Sequence, residues 1–320
     1  MRLFRHFDEA PDAIKGGAVA IGNFDGVHRG HRAVMERARD EARKRNAPWG
    51  VMTFEPHPRT VLAAASKPFR LTPLRVKARL IEEMGADFAL MQHFDRGFAA
   101  IGATEFVDRA LLGGLGAAVT VTGQDFVFGK DRQGDSELLS NLAEARGFKA
   151  VFVDPVLTPD GMAYSSSLVR DALVAGRLDD VARQLGRPWE IDGHVRKGQA
   201  RGRQLGYPTA NVGMGELIHP AAGVYAVRAE IEGAGGWRPG VGYIGPRPTF
   251  GGGEVELEVH IFDFAGDLYA KHLRVALIEY LRPDQNFADI AALVAQMDRD
   301  AEKARRLLAA TNDQDQEADS

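Results

Sequence analysis

The chain of 320 residues contains no cysteine. This excludes disulfides, thiolate metal sites and a thiol nucleophile, and it suits a reducing compartment. No apolar run approaches the ~18 residues that suggest a membrane span. The opening MRLFRHFDEAPDAIKGG has early arginines but no apolar stretch and is interrupted by acids, unlike a secretory signal. A cytoplasmic protein with no membrane partner is therefore expected. A strong excess of either charge is also missing: 40 Lys and Arg stand against 44 Asp and Glu, a formal charge of −4. With no basic stripe, no nucleic-acid partner is expected, and any phosphate chemistry must be local.

What is present is an ordinary globular composition, 45% apolar and 26% charged, over a length that predicts two domains. In the first half, apolar β-rich segments alternate with helical ones: AVAIG (18–22), a helix over 30–45, WGVMTF (49–54), a helix over 74–83, FALMQHF (88–94), a helix over 103–112, AAVTVTG (117–123) and AVFVDPV (150–156). This alternation predicts a doubly wound, Rossmann-like parallel sheet binding its ligand beyond the carboxyl ends of its strands. After about residue 186, where Gly186 and Pro188 punctuate the chain, the pattern turns to short strands with glycine-rich connections, including EIDGHV (190–195), VYAVRAEI (224–231), EVELEVHIF (254–262) and LRVALIEYL (273–281). A helix over 287–310 follows. The expectation is an antiparallel β-barrel closed by a C-terminal helix, with domains at 1–186 and 187–312 and a disordered acidic tail at 313–320.

The stretch AIGNFDGVHRGH (20–31) lies where a strand should end and a helix begin. Gly26 and Gly30 keep Cβ atoms clear of a ligand at the helix start. That start offers free N–H groups and partial positive charge, and His28 and His31, three apart, fall on one face of its first turn. Two imidazoles there can donate to phosphoryl oxygens as charge accumulates during displacement. The pair alone also suits an ordinary surface helix start, but the ten-residue GNFDGVHRGH is far more specific. It resembles the phosphate-binding signature of the nucleotidylyltransferase superfamily, in the form carried by the adenylyltransferase module of bacterial FAD synthetases. TFEPHPR (53–59), RLTPLRVK (70–77), GQDFVFGKDRQG (123–134) and YSSSLVRDAL (164–173) continue the resemblance. It implies that Gly22, Asn23, Phe24, Gly26, Gly30, His28 and His31 hold ATP, that Ser166, Ser167 and Arg170 bind its phosphates, and that His57, Arg59 and Asp125 line the FMN and ATP site. Helix capping by the serines and a turn-stabilising role for Asp125 are the alternatives read from the residues themselves.

In GHVRKGQARGRQLGYPTANV (193–212), glycines permit close backbone approach. Thr209 and Asn211, two apart, project to one side of an extended segment, where their oxygens could share a hard cation beside ATP phosphates. By alternation Glu256, Glu258 and His260 share one face of EVELEVHIF; either glutamate could accept the proton of an alcohol in phosphoryl transfer, or the face could simply be solvated. GxVxxGxxxGRxLGxPTAN, IGPRPTFGG (244–252) and EVHIFDFAGDLYAK (258–271) resemble the riboflavin kinase module. The resemblance implies Glu258 as base, Thr209 and Asn211 as Mg²⁺ ligands, and Gly193, Lys197, Arg203 and Pro208 in the nucleotide site. Two positions depart from it: Tyr243 stands where the family usually has Asn, and Ala270 where Gly is common. The similarity covers about residues 15 to 310. It implies an enzyme that phosphorylates riboflavin with ATP to FMN and then adenylylates FMN to FAD, with riboflavin, FMN and ATP as small-molecule partners. One silent half, or a flavin sensor without turnover, are the competing readings.

Overall fold

The structure, a computed structural model, describes residues 1–63, 67–196, 206–246 and 254–318, with side chains as far as Ala310. By packing the chain divides into two compact units, Met1–Lys67 with Leu74–Ser166, and Pro68–Pro73 with Ser167–Ser320.

The first unit holds a six-stranded sheet of β1 (Arg2–Phe4), β2 (Ala18–Ile21), β3 (Trp49–Glu55), β4 (Phe88–His93), β5 (Val119–Gly123) and β6 (Lys149–Val153), in the order β1-β4-β3-β2-β5-β6. Every pairing is parallel. All four residues of β2 are buried, as expected of a parallel strand covered on both faces. The helices of the unit are α1 (Arg29–Arg43), α2 (Pro58–Leu62), α3 (Leu74–Glu83), α4 (Arg96–Ala99), α5 (Ala103–Phe106) and α6 (Ser136–Arg146). On one face Met35, Ala38 and Ala42 of α1 and Val76, Leu80 and Ile81 of α3 pack on Ala18, Ala20, Val51 and Val121. On the other, Phe106, Leu111 and Leu139 cover Val19, Ile21, Met52 and Leu90. The helix expected over 103–112 is α5 continued by a π-helical stretch, Val107–Gly114. The wide turns bring Gly114 against Phe7, where a Cβ would stand 2.6 Å from the Phe7 carbonyl oxygen.

The second unit is a closed barrel of β7 (Trp189–Arg196), β8 (Ala210–Gly213), β9 (Gly223–Ile231), β10 (Trp237–Pro246), β11 (Val255–Ile261) and β12 (His272–Pro283), in the order β10-β11-β8-β7-β12-β9. All pairings are antiparallel. Alternation sends Ile191, Val212, Tyr225, Val227, Leu257, Val259 and Val275 inward. Two helices, α7 (Ser166–Val174) and α8 (Leu178–Leu185), add Leu173, Val181 and Leu185 to the same core. The segment 68–73 joins it too: the Trp189 indole donates to the Leu71 carbonyl at 2.7 Å, and the Phe69 and Arg70 amides donate to the Glu216 carbonyl. The packing therefore divides at residues 68–73 and 167, whereas the change of pattern in the sequence falls at Gly186. The C-terminal helix, Ile290–Ala318, packs Ala304 and Leu308 on Val224, Ala226, Phe262 and Leu281. It continues through 313–318, where the acidic composition predicts disorder, because no glycine or proline interrupts it. Residues 319–320 lie outside the described residues.

Candidate functional site

In the first unit the strand order reverses beside β2, with β3, β4 and β1 on one side and β5 and β6 on the other. The loops after β2 and β5 thus leave the sheet at its switch point, where such sheets bind ligands. The loop after β2 is a tight, buried turn in which Phe24, Gly26 and Val27 have φ of 47°, 94° and 46°. Gly22 is required by close approach, since a Cβ there would lie 2.9 Å from the Phe24 ring.

His28 caps α1: its Nδ1 accepts from the His31 amide at 3.3 Å. An imidazole accepting at Nδ1 carries its proton, when neutral, on Nε2, so the ring keeps one donor. The two histidine rings stack with centroids 3.5 Å apart, and Phe24 meets His31 edge-on at 5.3 Å. His28 lies against Gly30, where a Cβ would come within 3.2 Å of the imidazole. From the far end of the unit, Ser166 Oγ donates to the Asp25 carbonyl at 2.7 Å. The structure therefore gathers Gly22 to His31 and Ser166 in one place. Ser167 is exposed in the first turn of α7. Arg170, one turn on, donates from Nε to the Phe69 carbonyl at 2.8 Å and lies over the Phe69 ring.

His57 caps α2 just beyond β3, its Nδ1 accepting from the Arg59 amide at 3.1 Å, and Arg59 is exposed. Asp125 is exposed after β5 and folds back over Gly123, where a Cβ would stand 2.9 Å from its Oδ1. The segments after β2, β3 and β5 share one edge of the sheet, which places His57 and Asp125 on the same edge as the phosphate turn. One residue missed in the sequence stands out here. Lys77 of α3 is fully buried and donates to the Asn23 carbonyl at 2.8 Å. Its signal was a charge inside the apolar stripe of LRVKARLIEE, between Val76 and Leu80.

In the second unit the site lies on the outer face of the barrel. Glu258 of β11 stands opposite Asn211 of β8 and opposite Tyr243 of β10, so the three form a row across three strands. Asn211 is buried and Glu258 half-buried. Glu256 is buried opposite Gly213 and Gly245, one pair further along. The register therefore separates two glutamates that alternation leaves equivalent. Thr209 precedes β8 by one residue, and the Pro208 carbonyl accepts from His260 Nδ1 at 2.9 Å. Tyr207 sits edge-on to His260 and is hydrogen-bonded to Asp298 of the C-terminal helix.

Tyr243 donates to Asp284 at 3.1 Å. Burial, with the negative charges of Asp284 and Glu258 beside it, pushes its hydroxyl up to about 12, which keeps it a donor. Ala270 adopts a left-handed φ of 60°, which accounts for a preference for glycine at that turn. Gly193 of β7 packs closely, a Cβ there reaching Val212 at 3.0 Å. Lys197 and Arg203, with 247–252 of the IGPRPTFGG stretch, lie outside the described residues. The oxygens of Thr209 and Asn211 are hard donors that suit Mg²⁺. Among the described residues no three His, Asp or Glu gather as a metal site, so a cation here would take most of its ligands from phosphate and water, as Mg²⁺ commonly does.

Comparison with known proteins also divides the chain in two. The family model described as FAD synthetase matches residues 10–168 and the one described as riboflavin kinase matches 185–308. The bifunctional riboflavin kinase/FMN adenylyltransferases of Escherichia coli K12 and Pseudomonas fluorescens are each 42% identical, over 97% of this chain and 99% and 98% of theirs. That of Haemophilus influenzae is 35% identical over 95% of this chain and 98% of its own. A crystal structure described as a macrolide-efflux protein from Streptococcus pneumoniae superimposes with a TM-score of 0.82 at 30% identity, covering 95% of this chain and 98% of that one. No helix among the described residues is long and apolar enough to cross a membrane.

Proposed function

Because the chain belongs to the family of bifunctional riboflavin kinase/FMN adenylyltransferases, we propose that its two activities are run by two separate sets of residues, one before and one after Gly186. The enzyme phosphorylates riboflavin with ATP, giving FMN and ADP, and adenylylates FMN with a second ATP, giving FAD and pyrophosphate. Both family segments are present, so a chain with one silent half and a sensor without turnover both give way.

In the kinase, the riboflavin 5′-hydroxyl oxygen bonds to the γ-phosphorus of ATP as the bond to the ADP oxygen breaks. Glu258 takes the hydroxyl proton. Thr209 and Asn211 would hold Mg²⁺, whose chemistry when bound is to neutralise charge on the phosphate oxygens. His260 fixes the Pro208 carbonyl and so the entry of Thr209 into the site. Gly193, Lys197, Arg203 and Pro208 belong to the nucleotide side of this reading.

In the adenylyltransferase, an FMN phosphate oxygen bonds to the α-phosphorus of ATP and pyrophosphate leaves. His28 and His31 donate to the phosphate oxygens as charge builds, beside the Gly22–Gly30 turn with Asn23, Phe24 and Gly26. Ser166 adds its hydroxyl. Ser167, Arg170, His57, Arg59 and Asp125 join the reading from the sequence pattern. We place both reactions in the cytoplasm, in keeping with a chain without cysteine.

The observation that carries the kinase assignment is the register of Glu258 opposite Asn211. Time-resolved chromatography of flavins tests the division of labour. Glu258→Gln should lose riboflavin phosphorylation by at least about 100-fold yet still convert supplied FMN to FAD. The doubly substituted His28→Ala, His31→Ala chain should do the reverse. Loss of both activities in either folded variant would refute separate sites.

A further inference from the structure

Lys77 sits on the face of α3 turned into the core of the first unit, beside Val76, Leu80 and Ile81, with no exposed surface. Its ammonium donates to the Asn23 carbonyl at 2.8 Å and to Thr53 Oγ1 at 3.3 Å. The Thr53 hydroxyl in turn donates to the same carbonyl at 2.9 Å. Burying an ammonium costs far more than burying the methionine that could occupy the same space, so its presence calls for a role that the charge itself fills.

The carbonyl it grips belongs to the residue that leads into Phe24, Gly26 and Val27, three left-handed positions within four residues. Such conformations are costly for Phe and Val and persist only where the surroundings over-determine them. Asn23 itself is exposed, with no buried side chain to anchor the entry of the turn. Its carbonyl is tied instead to strand β3 through Thr53 and to helix α3 through Lys77. Three elements that are distant in sequence thus converge on one oxygen at the mouth of the phosphate turn.

We propose that Lys77 is a positioning residue for adenylyl transfer. Through the Asn23 carbonyl it holds the Gly22–His28 turn in the arrangement that presents its amides and His28 to the ATP phosphates, with Thr53 as its partner. The inference rests on the reading of Gly22 to His31 as the adenylyl site, and it assigns a role to α3, which that reading leaves as scaffold.

The test uses the full chain, with riboflavin phosphorylation as the internal control. Lys77→Met should lower kcat for FAD formation from FMN and ATP by about 100-fold, the scale of a small misplacement of reacting groups, with KM for both substrates within about threefold and phosphorylation unchanged. In Lys77→Ala, added propylamine should restore at least about tenfold of the lost kcat, whereas 1-propanol, of similar shape and uncharged, should not. Equal rescue by both would show that Lys77 only fills space and would overturn the proposal, as would a Lys77→Met kcat within about threefold of the parent.

Should both Lys77 variants fail to fold, Thr53→Val decides. A kcat about tenfold lower in the folded variant supports the clamp, and an unchanged kcat overturns it. The His28→Ala, His31→Ala chain is run beside them. If that chain forms FAD at the parental rate, the site reading itself fails; if it is inactive while Lys77→Met is not, only the positioning role fails.

Discussion

Restraints of different kinds act on His28, among them the cap bond from the His31 amide, ring stacking on His31, and contact with Gly30. The last is the most fragile. A Cβ at position 30 would stand 3.2 Å from the imidazole and 3.4 Å from the Tyr164 carbonyl, so the ring would have to give by a few tenths of an ångström. Gly30→Ala should turn the His28 ring out of place and lower FAD formation by about 10- to 100-fold while leaving riboflavin phosphorylation intact. Parallel assays of the two half-reactions check it, and equal turnover of FMN by variant and parent would show that the ring is not held by Gly30.

The elements are tied by charges that alternation of sequence does not reveal. Glu41 on the inner side of α1 is 2% exposed and meets Lys44 at 2.8 Å, Lys149 of β6 at 2.7 Å and Arg37 at 3.1 Å. Hydrogen bonds from Lys149 and then Lys44 hold its carboxyl down at about 2. A carboxylate depressed by folding stabilises the fold above its unfolded value near 4.5, and that contribution is lost as the pH falls toward 2. Glu41→Gln should therefore lower the stability of the first unit by about 1–2 kcal/mol at pH 7, after allowance for the exposed lysines. Urea midpoints for parent and variant should converge as the pH is lowered from 5 toward 2, and a gap that stays constant across that range would rule the network out.

Element types were legible for a physical reason: parallel strands buried on both faces read as apolar runs, as in WGVMTF, and α3 shows its 3.6-residue stripe over the span observed. Strand order was not, because nothing local in AVAIG says that β3 and β5 will flank it. The three-residue β1 is too short to carry a period. The motifs marked both candidate sites, and resemblance pointed to Glu258 where alternation alone left it equivalent to Glu256; that Glu258 stands opposite Asn211 is a matter of cross-strand register, which no local pattern carries, and Lys77 required a view of what its ammonium reaches.

At the scale of the whole molecule, the two reactions belong to one chain whose packing units are interleaved in sequence. Leu71, Leu173, Val181 and Leu185 are all buried in the core that surrounds Trp189. A fragment starting at residue 187 keeps every strand of the barrel but removes those side chains and the Leu71 carbonyl from the Trp189 indole. Its barrel should unfold at a lower urea midpoint than in the full chain, by a loss on the order of several kcal/mol. Equal midpoints would mean that 68–73 and 167–186 contribute nothing to the second unit.

The same threading bears on how the protein is made. Leu71 and Trp189 are 118 residues apart, so a ribosome releases residues 68–73 well before their partners exist. Every strand of the parallel sheet has been translated by Val153, ahead of the first barrel strand. Domains tend to form as units in the order of synthesis. The nascent chain can thus complete its sheet first, and the barrel forms last, packing Trp189 against a piece of chain, 68–73, made long before it.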